Sequence, residues 1–147
     1  MTQAGHCTFC DIIAGAAEVS VCYEDAHALA FMDIQPVNPG HVLVAPKVHY
    51  ESLLDLPPET ASQLYAVVAR LAPIVTKASH AEGMNIIVSS GAAAGQDVYH
   101  FHVHLIPRRA GDGFEVPLPF PASPVPPRTA LDAMAARIIG AFRDPMR

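Results

Sequence analysis

Three histidines, His100, His102 and His104, occupy every second position of YHFHVHLIPR and alternate with Phe101, Val103 and Leu105. Side chains on an extended chain point alternately to opposite faces, so the imidazoles share one face and the apolar residues turn the other toward a core. Burial of that apolar face fixes the register and keeps the imidazoles aligned. Solvated histidines on a polar strand face would need three successive positions filled by a scarce residue type. A metal trio is compatible with imidazole ligation, but no carboxylate partner to hold the rings is obvious in the adjacent sequence. The remaining reading is nucleophilic chemistry. One imidazole nitrogen attacks phosphorus while its other nitrogen is held as N–H by an acceptor, and a neighbouring histidine protonates the departing group near neutral pH.

The preceding loop, SSGAAAGQD, contains two glycines and three alanines. Small residues let backbone N–H groups approach a ligand closely, as loops that cradle phosphate oxygens require. Such a loop is a weak signal alone and a stronger one when it runs directly into three aligned histidines. Near the start, Cys7-x-x-Cys10 leaves Cys22 as an odd third cysteine. In a reducing compartment this spacing suggests metal or redox chemistry before a disulfide framework, with two inert buried cysteines as the alternative. Cys22 is expected to pack as a small hydrophobe in a strand.

These residues need a scaffold. With 147 residues, 51% of them apolar, the chain is long enough for one core, and a single domain over 1–147 is expected. A net charge of −5 speaks against coating nucleic acid, where a surplus of Lys and Arg is the rule. No run of some twenty apolar residues and no basic start followed by an apolar run occurs, so no membrane association and a cytoplasmic location are expected.

Residues 20–25 and 27–34 read as a hairpin, and 41–45 as a third strand stopped by Pro46. Leu64, Val67, Val68, Leu71, Ile74, Val75 and Ala78 recur at a helical period from Pro58 to about His80, with Pro73 expected to kink or break the helix. Strands follow at 84–90 and 98–107, then a proline-rich irregular segment over 110–127 and a closing helix over 128–143. The order β-β-β-α-β-β suits an α+β fold: an antiparallel five-stranded sheet with one long helix and a short C-terminal helix.

The ordered set CTFCDIIAG, AFMDIQPVNPGHVLVAPKVHY, LLDLP and MNIIVSSGAAAGQDVYHFHVHLIPR resembles the histidine-triad (HIT) family, in particular its Hint-like branch with an N-terminal Cys-x-x-Cys. The resemblance implies a HIT-like fold, a homodimer with a continuous sheet, and a purine nucleotide substrate. His102 would be the nucleophile that forms a nucleotidyl-histidine. His104 would contact phosphate and leaving group, with Gln96 holding the same phosphate beside the loop residues Ser89, Gly95 and Asp97. His41 would lie close to the centre, and Asp33 would accept from the ribose hydroxyls. Ile34 and apolar neighbours would wall the base; Phe9 and Ile12 are weaker candidates for which core packing is favoured. Asp97 stands where many members have Ser or Thr, and Ser89 where Asn is common. An ionised carboxylate only accepts hydrogen bonds, so Asp97 puts leaving-group preference in doubt.

By the same resemblance, His49 and His100 would join Cys7 and Cys10 around a structural Zn2+, leaving His102 and His104 free for chemistry; no organic cofactor is implied. The implied activity is hydrolysis of nucleoside 5′-phosphoramidates or dinucleoside polyphosphates, releasing a nucleoside monophosphate. Nucleotidyl transfer to phosphate or a sugar phosphate is the alternative reaction, and a purine-nucleotide-binding regulatory module with little turnover is the alternative class. Arg108 and Arg109 are possible contacts for distal phosphates, although solvation is the commoner fate of such residues.

Overall fold

The computed structural model describes residues 6–116 and 124–143. The chain divides into two compact units, Met1–Phe114 and Glu115–Arg147. In the first, strands β1 (Val21–Glu24), β2 (Ala28–Met32), β3 (Val42–Pro46), β4 (Gly83–Ile87) and β5 (Val103–Arg108) form one antiparallel sheet in the order β1-β2-β3-β5-β4. Helix α1 (Thr8–Ile13) precedes the sheet and α2 (Pro58–Ala78) links β3 to β4. In the second unit, α3 (Arg128–Arg143) occupies the segment expected to be helical. The expected proline-rich segment falls partly on residues 117–123, outside the described residues.

Local chemistry sets the turns. The Asp25 carboxylate accepts from the backbone N–H of His27 and Ala28 at 2.7 and 2.8 Å and from the Tyr23 hydroxyl at 2.8 Å, closing the β1–β2 hairpin. Asp55 binds the N–H groups of Glu51 and Ser52 just before α2. Pro58 opens α2, where a missing N–H costs nothing. The helix is not broken at Pro73: Pro73 and Ala69, whose carbonyl loses its donor, both lie on the exposed side, where water can serve that carbonyl.

The sheet separates two apolar clusters. Ala28, Ala30, Val42, Val44, Phe101, Val103 and Leu105 pack under Leu64, Val67, Val68, Leu71 and Val75 of α2. Phe9, Leu29, Phe31, Leu43 and Ala45 form a smaller cluster on the opposite face, beneath α1. Ile74, expected on the buried side of α2, is exposed. Cys22 is also exposed rather than packed, with its thiol donating to the carbonyl of Ala30.

Candidate active site and metal cluster

The expected strand over 98–107 is shorter in the structure: β5 begins at Val103, and His100 and His102 lie in the irregular approach to it. The alternation nevertheless persists, since Phe101, Val103 and Leu105 join the α2 core while the histidines turn to the α1 face. His100 and His102 are fully buried or nearly so. One ring nitrogen of each is committed to a backbone carbonyl, and the Phe101 N–H between them donates to the Tyr50 carbonyl, which holds the alternation where β-pairing stops. Nδ1 of His102 lies 2.7 Å from the His100 carbonyl. A carbonyl only accepts, so this nitrogen carries the proton and Nε2 keeps its lone pair. Nε2 makes no hydrogen bond to a described residue, and no buried side-chain nitrogen among those residues lacks a partner, which leaves Nε2 open to a ligand.

A second chain of bonds fixes His104. The backbone N–H of Val37 donates to Nδ1 of His41 at 3.1 Å, so His41 carries its proton on Nε2. That nitrogen lies 2.9 Å from Nδ1 of His104 and 3.6 Å from a carboxylate oxygen of Asp33. With His41 donating, neutral His104 has its own proton on Nε2. Burial first, then the neighbouring His102 and His41, pushes the His104 pKa down to about 4. Burial likewise lowers that of His41, with Asp33 opposing. The His102 and His104 rings are 4.8 Å apart, so an imidazole with a bare nitrogen sits beside one that presents an N–H.

Other expected contacts take different places. Gln96 is buried, and its amide is fully employed: Oε1 accepts from Gly91 N–H at 2.7 Å, and Nε2 donates to the carbonyls of Glu51 and Val98 at 2.6 and 3.1 Å. It braces the small-residue loop; no donor of its amide remains for a phosphate. The loop makes a 3-10 turn at Ala92–Ala94, and Gly95 adopts φ +81°, which suits glycine. Ser89 is half-buried, and Asp97 is exposed, its carboxylate accepting from Val98 N–H at 2.9 Å. Ile34 is 92% exposed.

Arg108 and Arg109 are tied down. Arg108 grips Asp112 with two bonds of 2.8 and 2.9 Å, and Arg109 donates to the Ser79 carbonyl. Asn38, which the sequence did not single out, bridges Asp112 and the Pro107 carbonyl at 2.8 Å each. The decisive Val37 N–H was also missed, because a backbone donor leaves no trace in residue type. Open grooves of about 250 and 320 Å³ run along α2. Neither is lined by a triad histidine.

Cys7, Cys10, His49 and His100 converge with all four donor atoms within 4.8 Å of one another. The Cys7 sulfur is 3.4 Å and the Cys10 sulfur 3.6 Å from Nδ1 of His100, Cys10 is 3.4 Å from Nδ1 of His49, and the two imidazole nitrogens are 3.3 Å apart. A tetrahedral zinc ion with ordinary Zn–S and Zn–N bonds has ligand–ligand edges of about 3.3–3.8 Å, so the donor set fits. Nε2 of His100 is 2.8 Å from the Pro46 carbonyl, which fixes its proton there and turns a bare Nδ1 to the cluster. Burial first, then Cys7 and Asp11, raises the Cys10 thiol pKa to about 11, so metal binding must displace a firmly held proton. His6, His27 and His80 are exposed, as expected.

The HIT domain family model matches residues 14–111, which span the sheet, α2 and the histidine site. The chain is 43% identical over 115 residues to the protein called hit in Bacillus subtilis, covering 78% of this chain and 79% of that one. It is 37% identical over 111 residues to an adenylylsulfatase of Arabidopsis thaliana, covering 76% of this chain and 56% of that enzyme. Among solved structures, a zinc-bound histidine triad family protein from Mycobacterium smegmatis superimposes with a TM-score of 0.71 at 38% identity, covering 92% of this chain and 96% of that one.

Proposed function

The chain belongs to the HIT domain family, and from that premise we propose that it hydrolyses nucleotides at the α-phosphorus through a nucleotidyl-histidine on His102. The observation that carries this reading is the fixed tautomer of His102, with Nδ1–H held by the His100 carbonyl and Nε2 open. Nε2 attacks phosphorus, the P–N bond forms, and the bond to the leaving group breaks, a nucleotide departing as its phosphate anion and an amine departing with a proton taken from solvent. The resulting imidazolium keeps its Nδ1–H on the same carbonyl, which stabilises the charge that develops. Neutral His104 offers Nε2–H to a phosphoryl oxygen. Its low pKa makes it a hydrogen-bond donor in the free protein rather than a stored imidazolium, and an anionic phosphate beside it moves that balance back toward protonation. Asp33 would accept from a ribose diol; in the loop braced by Gln96 the N–H groups of Gly91, Ala94, Gly95 and Gln96 are bonded within the loop, and those of Ala92 and Ala93 would meet phosphate oxygens. Water then attacks the nucleotidyl-histidine and releases the nucleoside monophosphate.

Nucleoside 5′-phosphoramidates and dinucleoside polyphosphates are the proposed substrates, with adenosine the proposed nucleoside; the adenylylsulfatase named above acts on a related adenylyl linkage, which supports that choice. Cys7, Cys10, His49 and His100 would hold zinc, whose contribution is structural because four protein donors leave no open position. The proposed homodimer is supported by the open edge of β4, where Ile86 is exposed.

The test is AMP release from adenosine 5′-phosphoramidate and from a diadenosine polyphosphate, beside a His102→Ala control. Wild-type turnover with at least about a 10⁴-fold loss in the variant and retained AMP binding is expected. Binding without turnover of either substrate by the wild type would overturn the hydrolase reading.

A further inference from the structure

Helix α1 and its N-cap residue Cys7 carry both thiols of the cluster and one wall of the histidine site. Phe9 lies between Cys7 and Cys10, and its ring meets His102 edge-on, with centroids 5.1 Å apart and an interplanar angle of 74°. Behind it stands Phe31, also edge-on at 5.2 Å, so Phe9 has a firm backing. His100 reaches the same ring from the main chain, through its carbonyl on Nδ1–H of His102, while its own Nδ1 belongs to the cluster. Two of the contacts that orient His102 therefore come from residues the cluster holds in place. A six-residue helix is too short to be stable alone, and α1 is tied to the sheet by Phe9 and by the donor atoms of Cys7 and Cys10.

We propose that Phe9 is a positioning residue for His102, and that ligation of Cys7, Cys10, His49 and His100 to one metal ion sets the direction of the nucleophile through Phe9 and the His100 main chain. The inference rests on the nucleotidyl-histidine reading given above. A single bond at Nδ1 fixes one atom of the imidazole but lets the ring tilt about it. In-line attack requires the Nε2 lone pair to point at phosphorus, and a misplacement of about 1 Å costs on the order of 10²-fold in rate. The edge of Phe9 removes that tilt. The cluster thus acts on the rate of the chemical step.

The experiment compares Phe9→Ala and Phe9→Leu with the wild-type full chain, all loaded with zinc. It measures metal content, Kd for AMP, the single-turnover rate of AMP release, and the Nδ1–H resonance of His102 by nitrogen-resolved NMR. Expected are one zinc per chain, a single-turnover rate at saturating substrate lowered about 10–100-fold in Phe9→Ala and less in Phe9→Leu, and a displaced His102 resonance. Removing zinc from the wild type with a chelator should displace the same resonance in the same direction. A zinc-loaded, folded Phe9→Ala chain with wild-type turnover would overturn the proposal, as would a His102 resonance unmoved by chelation. Should Phe9→Ala fail to fold, Phe9→Leu and the chelated wild type decide it. If the wild type releases no AMP, the nucleotidyl-histidine reading falls, whereas the resonance still reports whether cluster and ring are coupled.

Discussion

Two residues show how side-chain chemistry divides between building the site and working in it. His104 is neutral at pH 7 because burial and two neighbouring imidazoles hold its pKa near 4, below the ordinary value of 6.5, and His41 and His100 shift in the same direction. Between those values the unfolded chain binds protons that the folded chain refuses, so stability rises with pH. The full contribution is present above pH 6.5 and is lost as pH falls toward 4. Urea midpoints measured from pH 7 to pH 4.5 should therefore decline before the ordinary carboxylate range is reached, and a flat profile would contradict the buried neutral histidines. Gln96 stands on the building side. Its residue type and place at the loop end suggest a phosphate contact, but its amide satisfies three backbone groups. Gln96→Ala would strand those groups and lower stability by roughly 2–3 kcal/mol in denaturant titrations, an effect that removal of a ligand contact alone would not produce.

The elements were legible in the sequence wherever periodicity carries the signal. The apolar recurrence from Leu64 to Val75 marks α2, and the central strands β2 and β3 are apolar on both faces because each faces a cluster. Boundaries were less legible where side chains replace ladder bonds, as at His100 and His102, whose alternation mimics a strand that starts only at Val103. Helix α2 overrode a strong local breaker. Pro73 removes one intrahelical bond and crowds the preceding turn, yet five buried side chains along the same helix outweigh the defect. Pro73 is exposed, so Pro73→Ala restores the N–H donor at little loss of packing, offset by the greater entropy of the unfolded chain. A net gain of about 1–2 kcal/mol in unfolding free energy, read from the shift of the denaturation midpoint, is expected. A loss would mean that the proline fits a bend on which the packing of α2 depends.

The whole molecule joins segments far apart in sequence, and how they join decides what a metal can control. Cys7 and Cys10 precede the sheet, His49 follows β3, and His100 leads into β5, so the cluster closes a long loop of chain around the sheet face opposite α2. Sequence reading reached this set of four residues through family resemblance; the cysteine spacing alone named only two of them. The larger core under α2 contains no cluster residue, whereas the smaller core contains Phe9 from the helix that bears Cys10 and is capped by Cys7. Chelation is therefore expected to release the α1 face before it unfolds the sheet. Ligand thiolates and imidazoles must lose their protons to bind metal, so the same release should occur on acidification. Hydrogen exchange after metal removal should show amides of residues 8–13 losing protection while those of β3 and β5 keep theirs. Uniform loss across the sheet would instead make the metal a condition of folding for the whole first unit. In that case the small core beneath α1, rather than α2 packing alone, would set the stability of the histidine site.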